Sequence, residues 1–212
     1  MGTSSRTRQP AVTRQRICAA AKELFLTRGY DQTTISQIAK SAGVAQQTVY
    51  FVYGSKAAVL AAVLDVEIVG DTGVLPLLER PQVRRLARVS EPSQLLQQIV
   101  RVATDITERL APLYEIVRGG TTDAAIGELL DRHEAQRWQS LHHMTTMLDG
   151  ELAAGLTIDD ATDSLYSLLS HVVFWLLVHR RGWSATRWRQ HVAAAAERQL
   201  LPEPLTPARR RR

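Results

Sequence analysis

Between Thr33 and Lys56 the chain reads TTISQIAKSAGVAQQTVYFVYGSK, and the spacing of its apolar residues and glycines leaves little choice of local fold. Ile35, Ile38, Ala39 and Ala42 recur at the three- and four-residue steps of one helix face. Thr34 can cap that helix, and Gln37, three residues on, can complete a capping box. Gly43 breaks it, because glycine enters the left-handed region without a Cβ clash. Val44 then points inward and a third helix of about two turns covers Ala45 to Phe51. Two short helices thus meet through a tight glycine turn.

Helical periodicity continues on both sides. Residues 1 to 12 have no apolar period and read as a disordered arm. From Thr13, Ile17, Ala21, Leu24 and Phe25 form one stripe that ends at Gly29, with Cys18 at its border as a small core residue. Ser55 caps a fourth helix carrying Ala58, Val59, Ala62, Val63 and Val66 and stopping before GDTG at 70–73. Pro76, Pro81 and Pro92 leave short helices and irregular connection up to Ser93. A helix from Ser93 to Leu110 is interrupted at Pro112, a short one follows to Arg118, and Gly119 and Gly120 precede a helix over 123–149. Thr157 caps 158–181, closed by Gly182, and Ser184 caps 185–200, limited by Pro202. No stretch alternates like a strand, so the expected class is all-α.

Charge separates the chain's ends. The first sixty residues hold eight bases (Arg6, Arg8, Arg14, Arg16, Lys22, Arg28, Lys40 and Lys56) against two acids, Glu23 and Asp31, while the whole chain carries only +5. A polyanion would therefore be met at the N-terminal end. The tail Arg209–Arg212 adds at most a non-specific attraction for phosphate. One cysteine precludes an internal disulfide and fits a reducing compartment, the start resembles neither signal nor anchor, and VVFWLLV at 172–178 is too short to span a bilayer; a cytoplasmic protein without a membrane partner is expected.

The motif resembles the helix-turn-helix of the tetracycline-repressor-like (TetR) family of bacterial regulators. The resemblance is carried by Phe25 to Tyr30; by Thr33, Thr34, Ile38, Ala39, Ala42, Gly43 and Val44; by Thr48, Tyr50 and Tyr53; and by Lys56, Val59 and Leu60. It covers residues 13 to 65. Three positions depart from the family pattern: Ala45 offers no side-chain cap, Val52 stands where histidine is frequent, and Tyr53 where phenylalanine is usual. The resemblance implies a DNA-binding regulator with a helix-turn-helix domain at 13–60, the fourth helix continuing to about 69, a helical ligand and dimerisation domain at 70–201, and a disordered basic tail at 202–212.

The chemistry of such a unit follows from its residues. A two-turn helix braced by its predecessor fits the major groove and offers its N-terminal side chains to base edges. Gln46 and Gln47 occupy that place, and glutamine pairs bidentately with adenine. Thr48 and Tyr50 can donate to phosphate and Lys56 can pair with it, positions where the resemblance also implies phosphate contacts. Thr34 is a helix cap that can also approach a phosphate. Arg6, Arg8 and Arg14 can reach the flanking backbone or minor groove from the arm.

One unit reads few base pairs, so a pseudo-palindromic operator and a homodimer are expected. The 158–181 helix carries Ala161, Leu165, Leu168, Leu169, Val172, Leu176 and His179 on one stripe, widened by Val173, Phe174, Trp175, Leu177 and Val178 to nearly its whole circumference. A helix apolar all round needs cover on more than one side. The resemblance pairs the last two helices across the dimer, which makes Leu165, Leu169, Val172, Val173, Leu176, Trp188, Val192 and Ala195 the candidate interface. It also implies an effector cavity between the middle helices. Candidate wall residues are Leu110, Tyr114, Trp138, Leu141 and His142, with Met144, Met147, Tyr166, Phe174 and Trp175 further along; the aromatics favour an apolar or aromatic effector. No cofactor or metal is expected: His142 and His143 are adjacent, which does not make an i,i+4 pair, and no metal-binding or catalytic motif is present. The leading expectation is a repressor released from its operator by a small molecule. Alternatives are a ligand-dependent activator, a corepressor-dependent regulator, or a non-specific architectural DNA-binding protein.

Overall fold

A computed structural model describes residues 4–70, 75–120 and 124–202, with side chains at all of these except 4–10 and 118–120. The tail Arg209–Arg212 and the side chains of Arg6 and Arg8 lie outside the described residues. Every regular element among the described residues is helical: α1 Ser4–Arg28, α2 Ile35–Ala42, α3 Gln46–Tyr53, α4 Lys56–Val69, α5 Pro81–Arg84, α6 Pro92–Gly120, α7 Ala124–Thr145, α8 Ile158–Leu168, α9 His171–Trp175 and α10 Ala185–Leu200. Short 3-10 turns cover Leu77–Glu79, Leu86–Arg88 and Thr146–Leu148. The chain divides into two compact units, Met1–Glu79 with Asp105–Gln136, and Arg80–Thr104 with Arg137–Arg212.

The largest departures from the sequence reading are in α1, α6 and the 158–181 region; in addition α3 runs on to Tyr53 and α7 stops at Thr145. α1 begins at Ser4 rather than Thr13. Residues 11 and 12 are exposed and so add nothing to the buried stripe that marks the helix from Thr13 on. α6 runs unbroken through Pro112. Pro112 is exposed, its ring on the solvent side of the helix. The expected helix at 158–181 breaks instead. Ser170, extended at φ −60° and ψ 134°, accepts a hydrogen bond from the Val172 amide and starts α9 afresh, and Leu176–Arg180 then winds as a π-helix.

In the first unit, α1, α2, α3 and α4 enclose a core of Ile17, Phe25, Ile38, Val49, Leu60 and Leu64, joined by Leu113 and Val117 of α6 and Ile126 and Leu129 of α7. The carbonyls that end α4 would otherwise lack partners. Arg109 of α6 donates to them, Nε to the Glu67 carbonyl at 2.7 Å and Nη2 to that of Ile68 at 3.2 Å. The Glu67 side chain, nearly buried, pairs with Lys22 of α1 at 2.8 Å. Charged groups from α1 and α6 thus hold the end of α4 from both sides.

In the second unit, α8 packs along α10. Thr157 and Asp160 cap α8 reciprocally, at 3.1 and 3.0 Å. The fully buried Trp188 meets Phe174 edge-on at 4.8 Å. By length and composition Ile158–Arg180 is long and apolar enough to cross a membrane, and 33% of its most apolar stretch is buried inside the protein.

Arg109→Ala is expected to cost about 2 kcal/mol, because it strands two carbonyls that accept from a charged donor; chemical denaturation measures it, and an unchanged midpoint would contradict the clamp. A second expectation concerns His133, 5% exposed, whose Nε2 lies 3.9 Å from Asp65 Oδ1 and whose buried Nδ1 has no hydrogen-bond partner among the described residues. Burial pushes the imidazole below its ordinary range; Asp65 opposes this, Arg132 adds to it and Glu134 opposes it. Burial likewise raises the Asp65 carboxyl, opposed by His133. A histidine with a depressed folded pKa contributes stability that is present above its unfolded pKa and lost as pH falls below about 6.5. The Asp65 effect has the opposite sign: a raised carboxyl adds stability as pH falls through its raised value. Acidification from about pH 7 to about pH 5.5 should therefore lower the melting temperature more for the native chain than for His133→Leu. Equal losses would contradict this.

Candidate nucleic-acid interface

α3 is eight residues long, too short to persist without tertiary contacts. Its support can be followed outward from the chain. Thr33, fully buried, donates to the Gly29 carbonyl at 2.8 Å and to that of Leu24 at 3.3 Å, closing the end of α1. Thr34 then caps α2 with the reciprocal pair its spacing to Gln37 predicts: the Gln37 amide donates to Thr34 Oγ1 at 3.2 Å and the Thr34 amide to Gln37 Oε1 at 2.9 Å. Gly43 turns the chain at φ +64°, and the Arg16 guanidinium donates to its carbonyl at 3.1 Å. A side chain at 43 would meet that guanidinium.

Ala45 starts α3 without a side-chain cap. The helix is held instead from its inner face and its far end. Val49 is fully buried. Tyr53 shares a 3.3 Å hydrogen bond with the Cys18 thiol, and its hydroxyl lies 3.5 Å from the Arg14 carbonyl. Burial raises the Cys18 thiol above its ordinary range and, with the Cys18 contact, raises the Tyr53 phenol too. The hydroxyl that distinguishes Tyr53 from phenylalanine thus ties α3 to α1. Sequence periodicity cannot reveal that tie, because its partners are 35 residues apart.

The outer face of α3 is open. Gln46 and Gln47 are exposed, Thr48 is half-buried and Tyr50 is 48% exposed. Thr34 and Arg14 are also exposed. Lys56 differs: its ammonium donates to the Tyr30 carbonyl at 2.9 Å and sits 4.1 Å above the Tyr30 ring. Its structural task is to pin the start of α4 to the link between α1 and α2. Phe51 is the residue the motif reading passed over. It is 92% exposed, the most exposed of the large apolar side chains among the described residues. A helical wheel carried the signal, since Phe51 falls opposite Val49.

The expected effector residues fall in both units. Leu110 and Tyr114 are buried in the core of the first. The other eight belong to the second, where Leu141 and Met144 are buried and Met147 and Tyr166 are half-buried. Trp138 stacks on His142 at 4.9 Å; the indole donates to Asp163 at 2.7 Å, and His142 Nε2 lies 3.0 Å from Asp159. Arg137 covers the Tyr166 ring at 3.8 Å, and Arg180 covers Trp175 at 4.7 Å. Of the expected interface residues, Leu165, Leu169, Trp188, Val192 and Ala195 are buried within the single chain. Val173 is half-buried, while Val172 and Leu176 are 38% and 47% exposed.

Residues 17–63 match the model of bacterial regulatory proteins of the tetR family. The HTH-type transcriptional regulator SrpR of Pseudomonas putida is 48% identical over 52 residues; the match spans 24% of this chain and 24% of that relative's length. Two solved structures share the fold over nearly the whole chain. NalD, the secondary repressor of the MexAB-OprM multidrug efflux pump in Pseudomonas aeruginosa, is 21% identical with a TM-score of 0.66, covering 91% of this chain and 98% of that one. The SmeT–triclosan complex is 18% identical with a TM-score of 0.68, covering 92% and 95%. At these identities the structural likeness speaks for the fold.

Lys56→Met keeps the aliphatic stem and removes the ammonium, so without DNA it should lose about 1–2 kcal/mol of stability. Thermal and denaturant unfolding measure this; unchanged stability would mean that the Tyr30 contact contributes nothing.

Proposed function

We propose that this chain, a member of the TetR family of bacterial regulatory proteins, is a sequence-specific DNA-binding transcriptional regulator acting as a homodimeric repressor. The observation that carries the reading is the placement of Gln46 and Gln47, exposed at the start of a short helix whose opposite face is fixed by Val49 and Tyr53. Such a helix enters a major groove with its N-terminal side chains on base edges. Gln46 or Gln47 reads adenine, Thr48 and Tyr50 hold phosphate, and Thr34 meets it at the start of α2. Lys56 first braces Tyr30 and adds its charge to the same backbone. Arg6, Arg8 and Arg14 approach the flanking DNA from the N-terminal end of α1.

Residues 13–60 do the reading in this account, while 70–201 sense and dimerise. Val172 and Leu176 support a partner subunit, because two large aliphatic side chains stand exposed on an apolar run. Leu165, Leu169, Trp188, Val192 and Ala195 would back that face from within. Repression is favoured by NalD, which is described as a repressor. SmeT, solved with triclosan, favours a small effector. An effector releases DNA only if it binds the released conformation more tightly than the DNA-bound one. No catalytic step belongs to this reading.

Selection of genomic fragments by the purified chain at physiological salt, read as footprints, tests the proposal. A protected pseudo-palindrome is expected; retention of random fragments as strong as that of any selected one would favour an architectural protein. On the selected site, Gln46→Ala and Gln47→Ala should relax preference at particular base pairs, each good bidentate pair being worth about 1–3 kcal/mol of discrimination. Tyr50→Phe should weaken all sites alike. Equal losses on selected and random DNA for both glutamine variants would remove them from base reading.

A further inference from the structure

Phe51 stands on the recognition helix with no packing role to explain it. On an α-helix each residue turns about 100° from the last, so with Val49 facing inward, Gln47 and Phe51 each lie about 160° from it, on either side of the outermost line. Gln46 and Tyr50 fall on one flank, and Thr48 and the half-buried Val52 on the other. The two side chains aimed farthest from the core are thus an amide and a phenyl ring, and the ring is 92% exposed. Single exposed apolar residues are ordinary on protein surfaces. Phe51, however, adjoins Tyr50, itself 48% exposed, on an eight-residue helix that otherwise presents amides and a hydroxyl.

The major groove offers one apolar group to meet such a ring, the C5-methyl of thymine. Gln47 and Phe51 are separated by one helical turn, about 6 Å along the axis. That spans one to two base-pair steps of about 3.4 Å. We propose that Phe51 is a specificity-determining residue that packs on a thymine methyl within two steps of the base read by Gln47, so that each half-site requires a thymine there. The inference rests on the proposal that α3 enters the major groove.

Replacing each thymine of the selected fragment singly by deoxyuridine removes one methyl group and leaves base pairing intact. The native chain should lose affinity about fourfold for each methyl that Phe51 covers, the worth of one buried methyl group. The loss should fall at one thymine in each half-site. Phe51→Ala, at a position that takes no part in the core, should bind the thymine and deoxyuridine fragments equally, and Phe51→Leu should restore part of the difference. Equal sensitivity in the native chain and Phe51→Ala would overturn the assignment while leaving DNA reading intact, as would insensitivity to every replacement. A native chain that retains no fragment selectively would overturn both.

Discussion

A helix of eight residues cannot hold itself together, so everything proposed for this protein depends on how α3 is braced. Its inner face is one buried valine, Val49, and its far end is tied through Tyr53 to Cys18. The links before and after it are fixed independently, by the Thr34 and Gln37 pair, by Arg16 on the Gly43 carbonyl, and by Lys56 on the Tyr30 carbonyl. None of these contacts uses the outer side chains of the helix. The contacts that orient α3 are therefore made by residues other than Gln46, Gln47, Tyr50 and Phe51.

The brace extends beyond the helix-turn-helix. Glu67 and Ile68 at the end of α4 offer carbonyls to Arg109, and the Glu67 carboxylate pairs with Lys22 of α1. A nearly buried carboxylate is tolerable only when paired, and a helix end only when its carbonyls are satisfied. Both requirements are met by groups from neighbouring helices, so α1, α4 and the second half of α6 form one unit with α2 and α3.

Local chemistry was legible in the amino-acid sequence. The caps at Thr34, Ser55, Thr157 and Ser184 and the turn at Gly43 are set by residues within a few positions of one another, and the stripe of Ile17, Ala21 and Phe25 marks its own buried face. What stayed hidden depended on distance or on solvent. Ala11 and Val12, just before Thr13 on α1, are exposed and add nothing to its apolar period, and α6 continues through Pro112, a residue that usually ends or kinks a helix. Ser170 reads as one polar residue in an apolar run, yet its hydroxyl restarts the helix. The motif assigns Lys56 to phosphate, but only the folded chain brings the Tyr30 carbonyl beneath it. Apolar and aromatic character does not separate core from cavity wall: Leu110 and Tyr114 are buried in the core of the first unit.

The account stands on α3 being the element that meets DNA, and backbone hydrogen exchange with and without the selected fragment measures that directly. Protection should rise across Gln46–Tyr53 and at the start of α2, since both are ordered further when their outer faces are covered. Exchange in α3 that is the same with and without bound DNA would contradict the account.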